Sequence, residues 1–443
     1  MLEIANCLNL LRKINIDIQI SSKFESNNYR FMKKIIITMS LLAGATVYAG
    51  GFRVSLQGVR QLAMAHTSAH VEDASVAFFN PAGIAFIPAK LSVVAGGFGA
   101  LSSVTYQNPN THESYETDNP VGTPIYAAVA YRPIENLSVG FSFSTPFGST
   151  IDWGEQWAGR EIVQMMSLQA MYFQPMVAVK LAPWASVGVS YIHATGKVDW
   201  DKAVTQLGGT LNINDEKAKG SGYSVGFYLR PSDKLDLSLA YRGPVDMEAS
   251  NGTATFNISP ALYPNLGLNA NGEDKFKATL PLVDEYTIGA TYQATEKWKI
   301  SADFNYTGWE KYQSLTLDFA NAPVGNQPSD PTVLKTPKNF HNTKTFRVGT
   351  EYKINPKIAA RAGWYWDEAP YTDENFIPET PSFDAHVITA GLGFKFGALG
   401  VDFAAAKSFP KSRVFDNPNT HFAGQAKAQT YYFGLGLNYN IIK

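Results

Sequence analysis

The chain has 443 residues, with 37 Lys and Arg against 38 Asp and Glu and a formal net charge of −1. That balance excludes a broad polyanion-binding field, so no nucleic acid partner is expected. Mean hydropathy is slightly negative, and beyond residue 49 no apolar run reaches the roughly 20 residues that a membrane helix needs.

The N-terminus carries an address. Met32-Lys33-Lys34 is a short basic region, Ile35 to Thr46 is an apolar core too short for a stable spanning helix, and Val47-Tyr48-Ala49 fits a signal-peptidase site. Residues 32–49 are therefore read as a signal peptide. Residues 1–31 are read as an upstream extension or mis-start, with Met32 favoured as the true start. Cys7, the one cysteine, lies in that excluded stretch, so disulfides, thiol catalysis and thiolate metal sites are not expected. No metal or cofactor is expected either.

Residues 50–89 lack strand alternation. Val59 to Ala65 could form a short helix, and Phe78-Phe79-Asn80-Pro81-Ala82-Gly83-Ile84 contains an Asn-Pro step that opens a turn. About forty residues cannot bury a core alone, so 50–89 is expected to sit as a hatch or plug in the lumen of a barrel formed by residues 90–443.

From residue 90 to 443 one rhythm holds: alternating segments joined in turn by a long polar loop and a tight turn. The segments read as 90–106, 124–132, 137–147, 163–181, 185–200, 218–230, 234–257, 275–293, 297–318, 343–353, 357–367, 385–396, 399–408 and 427–442. The short connections are 133–136, 182–184, 231–233, 294–296, 354–356 and 397–398, and are rich in Pro, Asn, Asp and Gly. Tyr431, Phe433, Leu435, Leu437, Tyr439 and Ile441 alternate with Tyr432, Gly434, Gly436, Asn438 and Asn440, as lipid-facing and lumenal positions do in a membrane barrel. A large soluble β-sandwich also alternates, but aromatics near strand ends such as Tyr131, Tyr241, Tyr292 and Tyr352 favour membrane girdles. The expected fold class is all-β: a 14-stranded antiparallel transmembrane β-barrel with an N-terminal hatch inside its lumen. Such a barrel closes its own edges, so a monomer suffices.

Gly51-Phe52 and Asn80-Pro81-Ala82-Gly83, followed by Thr145-Pro146-Phe147-Gly148, Trp153, Trp157-Ala158-Gly159-Arg160, Tyr241-Arg242-Gly243-Pro244-Val245 and Arg361-Ala362-Gly363-Trp364-Tyr365-Trp366-Asp367, make the mature chain resemble the FadL/TodX-like family of outer-membrane transporters of hydrophobic compounds. The chain departs from the usual aromatic end of outer-membrane barrels at Tyr439-Asn440-Ile441-Ile442-Lys443. The resemblance implies a Gram-negative outer membrane, with its lipid and lipopolysaccharide as surroundings. It also implies hydrophobic small molecules as partners, long-chain fatty acids foremost, with aromatic hydrocarbons the alternative. The implied route is passive: capture at the loops, an apolar lumenal pocket, hatch movement and lateral exit through the wall.

Candidate site residues lie on several of these segments. In the third segment Ser138, Gly140, Ser142 and Ser144 share the lumenal face and Pro146 cannot donate to a ladder; these small residues either permit a lateral gap or make room for the plug. In the fourth, Met165, Met166, Met171 and Phe173 suggest an adaptable apolar pocket or packing against the hatch. Phe147, Trp153 and Trp157 are apolar partners for Arg160, whose guanidinium is a candidate carboxylate clamp. Arg347 and Arg361 fall on lumenal faces and either bind substrate or pair with lumenal acids. No His-Glu-x-x-His occurs and the histidines are scattered along the chain, so no enzyme is expected. A general porin would need an open lumen, and a receptor role would use long loops such as 318–342.

Overall fold

A computed structural model describes residues 51–54 and 56–442. The address at 32–49, the segment 1–31 and Cys7 lie outside the described residues.

Fourteen wall strands succeed one another in chain order. They are β1 (Leu91–Gln107), β2 (Ile125–Ile134), β3 (Leu137–Asp152), β4 (Met165–Ala182), β5 (Ala185–Val204), β6 (Gly209–Ser232) and β7 (Leu235–Arg242, continued by Val245–Asn257). After these come β8 (Glu273–Leu282, continued by Glu285–Thr295), β9 (Trp298–Thr307, continued by Ser314–Phe319), β10 (Thr343–Asn355) and β11 (Ile358–Asp367). The last are β12 (Ala385–Phe396), β13 (Leu399–Pro410) and β14 (Phe422–Ile441). Each pairs antiparallel with its neighbour, and β1 pairs with β14 from Leu91↔Ile441 to Gln107↔Gln425, which closes the barrel. Closure matters because hydrocarbon offers no water to an unpaired backbone group.

Alternation decides which face meets lipid. On β14 Tyr431, Phe433, Leu435, Leu437, Tyr439 and Ile441 are all exposed, whereas Thr430 and Tyr432 are buried inward. Ile288, Phe346, Val348, Ile388 and Phe403 extend the apolar exterior around the wall, as the sequence pattern requires.

Three details differ from the sequence reading. The long seventh, eighth and ninth segments are each interrupted, between Arg242 and Val245, between Leu282 and Glu285, and between Thr307 and Ser314. Pro244, which has no N–H to give, sits in the first break. The stretch 201–217 is mostly strand rather than loop, because β5 and β6 extend as a hairpin and leave only a short turn closed by left-handed Gly208. Three short strands, Ser114–Glu116, Val333–Pro337 and Arg413–Asn417, lie within connections read as loops.

The segment ahead of the wall fills the lumen. Of the described residues 51–87, all but Arg60, Glu72 and Phe79 are buried. It forms one turn of α-helix at Val59–Leu62 and 3-10 turns at Ala74–Phe78 and Pro81–Phe86. Asp73 and Asn80 cap those two turns by accepting from Ser75 N and Ala82 N. The Asn80 amide also donates to Phe227 O (2.9 Å), Ser238 Oγ (2.9 Å) and Leu239 O (3.2 Å) on β6 and β7. Ser186 Oγ on β5 donates to Ala82 O at 2.9 Å, and Ser68 N donates to Asp303 Oδ2 on β9 at 2.7 Å. Wall glycines make this close approach possible: a Cβ at Gly226 would collide with Asn80 Oδ1, and one at Gly188 with the Pro81–Ala82 backbone.

Gly226→Val is therefore expected to unseat the Asn80–Ala82 turn while leaving the wall intact. Planar-bilayer recordings should show a several-fold higher single-channel conductance than wild type. An unchanged conductance in a folded barrel would refute this account of how the hatch is held.

Candidate functional site

Two adjoining spaces lie on the long-loop side of the hatch. The first is a narrow apolar cavity of about 80 Å³. Its wall comes from inward positions of successive strands: Met166, Leu168 and Ala170 on β4, Trp200 on β5, Met247 and Ala249 on β7, Phe276 and Leu280 on β8, and Leu315 and Leu317 on β9. Phe52 of the hatch also lines it and packs edge-on against Trp309 (centroids 4.9 Å) and Tyr312 (5.9 Å). One end of the cavity is polar. Lys338 Nζ meets Glu379 Oε1 at 2.5 Å, with side chains 1% and 5% exposed, and Glu379 Oε2 has no partner. Lys202 is close enough to interact electrostatically with both. Glu161 also lies close to Lys202.

The second space is a polar cleft of about 210 Å³ beside Pro146, lined by Val54, residues 120–124, Thr145 and Phe147. The ladder explains it. β2 pairs with β3 only as far as Tyr126↔Ser144. The β3–β4 register slips between Ser144 and Phe147, then resumes to Asp152↔Met165. Above Ser144 the free side of β3 is met by the hatch: Val54 N donates to Pro146 O (2.7 Å), Gly148 N donates to Phe52 O (3.0 Å), and Arg53 bridges to Phe147. A piece of the plug stands where wall strand is missing.

The sequence-derived candidates distribute unevenly. Met166 lines the cavity, and Phe147 and Thr145 line the cleft. Met165, Met171 and Phe173 do not: strict alternation along β4 buries Met166, Leu168, Ala170 and Tyr172 inward and turns those three to the half-buried outer face, where Phe173 packs on Phe143 at 5.2 Å. Trp153 and Trp157 stack on each other (4.3 Å, 10°) in a roof of loops. Their indoles donate to Pro378 O at 3.0 Å and Val163 O at 2.6 Å. Arg160 is half-buried in that loop region and lines neither space.

Arg347 and Arg361 lie below, occupied by structure. Arg347 donates to Asn305 Oδ1 (2.8 Å) and to hatch Ala65 O (3.2 Å). Arg361 pairs with Glu351 (2.7 Å) and Asp402 (2.5 Å). Ser142 and Ser144 remain paired with both β2 and β4, and a Cβ at Gly140 would come within 3.3 Å of Ile84 in the hatch. Gly140 thus lies against the plug, and the ladder irregularity falls beyond Ser144, at Thr145–Pro146. Lys338 and Glu379 went unread in the sequence, because each sits in a polar loop stretch with no periodicity to signal burial.

Comparison with known proteins accords with this architecture. Residues 40–441 match the family model described as outer membrane protein transport protein (OMPP1/FadL/TodX). A 47 kDa outer membrane protein of Pasteurella multocida is 21% identical, over 93% of this chain and 98% of its own. A Pseudomonas aeruginosa FadL homologue superposes with a TM-score of 0.75 at 18% identity, covering 88% of this chain and 99% of that one. The Pseudomonas putida toluene transporter TodX superposes with a TM-score of 0.67 at 13% identity, covering 90% and 100%.

Lys338→Met alone strands a buried carboxylate and is expected to destabilise the barrel by about 3–5 kcal/mol, whereas Lys338→Met with Glu379→Leu should be nearly neutral. Urea unfolding of the three proteins in detergent checks this, and equal losses for the single and double variants would rule out a tight pair.

Proposed function

Because the chain belongs to the outer membrane protein transport family (OMPP1/FadL/TodX), an outer-membrane barrel family that carries hydrophobic compounds, we propose that it takes up long-chain fatty acids passively through the apolar cavity and releases them sideways at the Pro146 cleft. The observation that carries this reading is the double role of one hatch segment. Phe52 lines the cavity, while its own carbonyl and the Val54 N–H complete the β3 ladder beside the cleft. A ligand that displaces Phe52 pulls on the same backbone that seals the wall, so filling the cavity and opening the cleft become one movement. No energy source is needed, because apolar surface gains about 25 cal/mol per Å² on leaving water and the lateral exit leads to the hydrocarbon of the membrane.

The fatty-acid choice rests on the polar end. A carboxylate entering tail-first into the apolar lining would meet Lys338, paired with Glu379, with Lys197 also in the lining. Arg160, the clamp expected from sequence, lines neither space and is not assigned a role in binding. A neutral aromatic hydrocarbon would use the same lining without the lysines. The relative TodX is a toluene transporter, so that substrate is the arm to test against.

Uptake of labelled oleate and labelled toluene is to be compared in cells with and without the protein. Ala249→Trp, which fills the cavity, is expected to abolish the protein-dependent uptake. Arg160→Ala should leave it unchanged. The Lys338→Met/Glu379→Leu double variant should lose oleate uptake; if oleate still enters at the wild-type rate, the lysine end does not read a carboxylate. Protein-dependent uptake of toluene alone would keep the route and replace the substrate. Free passage of small hydrophilic solutes would overturn the route.

A further inference from the structure

The side of the lumen nearest the short turns holds a second chemistry. A vestibule of about 440 Å³, lined by Arg60, Glu72, Glu351, Arg361 and Asp402 among others, lies between the hatch and strands β10 to β14. At its roof the ligand atoms of His70, Glu72 and Glu351 all lie within 4.8 Å of one another. His70 and Glu72 come from the hatch, and Glu351 comes from the wall on β10.

Ion pairs occupy only part of this cluster. Glu351 Oε2 accepts from both Arg60 (2.8 Å) and Arg361 (2.7 Å), which leaves Oε1 buried with no partner. Glu72 uses Oε1 for Lys299 (2.5 Å) and Arg60 (3.5 Å). His70 is 3% exposed, and its Nε2 is likewise buried with no partner. Unsatisfied buried polar atoms each cost about 1–3 kcal/mol, and here two of them belong to residues of this one cluster on different elements. Charge points the same way. Glu72, Asp73, Glu351 and Asp402 meet Arg60, Lys299 and Arg361, four carboxylates against three cations. Lys353, Lys357 and Lys395 also line the vestibule, but the last two are exposed and screened by solvent.

We propose that His70, Glu72 and Glu351 form a site for a single divalent transition-metal ion, zinc the best fit, that fastens the hatch to β10. One imidazole with two carboxylates is a nitrogen–oxygen set suited to zinc, at bond lengths of about 2.0–2.2 Å. Such bonds require the ligand atoms to close by roughly an ångström from their present spacing. Water from the vestibule completes the shell, and the existing ion pairs act as the outer hydrogen bonds that orient carboxylate ligands.

The test uses the full protein in detergent, stripped with a chelator and titrated with Co²⁺ as a coloured probe for zinc. Wild type is expected to develop a visible absorption band saturating at a single equivalent and erased by Zn²⁺. His70→Gln should not develop it, and His193→Gln, at an exposed position on the wall, should behave as wild type. Absence of the band in wild type, or its persistence in His70→Gln, overturns the site. If His70→Gln fails to fold, X-ray absorption of zinc-loaded wild type decides: a single nitrogen with oxygens supports the assignment, and a shell of several imidazoles means adventitious surface histidines and overturns it.

Discussion

The constraint on which the structure turns is that a backbone in hydrocarbon must find every hydrogen-bond partner within the protein. The fourteen-strand ladder satisfies it almost all the way around, including the long β1–β14 seam. It is incomplete above Ser144, where β2 ends and β3 continues. Thr145 and Pro146 fall out of the β3–β4 register, and proline has no N–H to offer a neighbour. The Pro146 carbonyl and the Gly148 amide still need partners, and the hatch supplies both through Val54 and Phe52. Sealing the wall and seating the plug are consequently the same set of bonds.

The lumen is divided by chemistry. Toward the short turns the hatch is tied by charge and by directed hydrogen bonds: Arg60 to Glu351, Lys299 to Glu72, Asp303 to Ser68 N and Asn80 to the β6 and β7 backbone. Toward the long loops Phe52 adds aromatic contact with Trp309 and Phe147 to the Arg53–Glu285 ion pair and the backbone bonds of Phe52 and Val54 to β3. Polar ties are directional and lose much of their energy when geometry slips, whereas apolar contacts are non-directional and can be exchanged for those of a ligand. Under the proposed route, the apolar contacts of Phe52 are the part of the hatch that a ligand could replace with its own.

How much of this was legible in the sequence depends on the information that period-2 alternation can encode. All fourteen wall strands and all six tight turns were readable, because lipid and lumen impose opposite demands on successive residues of β14, β10 and the first half of β9. The hatch was readable as well, since 50–89 breaks the rhythm and is too short to fold alone. Alternation was not carried far enough along β4: reading Met165, Met171 and Phe173 as pocket residues treated an apolar stretch as two-sided, although Met166, Leu168 and Tyr172 hold a clean inward phase. The arginines show a different limit. Being lumenal was legible for Arg347 and Arg361, but their partners Ala65, Asn305, Glu351 and Asp402 lie as far as 282 residues away in the chain. Loop residues that fold back into the lumen, Lys338 and Glu379, carry no local signal at all.

The Lys338–Glu379 pair also bears on how a passive carrier can both capture and release. Taking an ion out of water costs several kcal/mol even after relaxation, so a lone buried lysine would be expensive in the empty protein and would hold a carboxylate tightly once bound. Glu379 changes that comparison. It keeps Lys338 neutralised while the cavity is empty, and an arriving carboxylate competes with an existing partner instead of filling a vacancy. The charged end then contributes recognition with little net affinity, and the apolar lining supplies most of the attraction. Apolar attraction is the part that the membrane interior can match, so under the proposed route a ligand would lose little by leaving at the Pro146 cleft. A site built around an unpaired cation would bind more strongly and carry less.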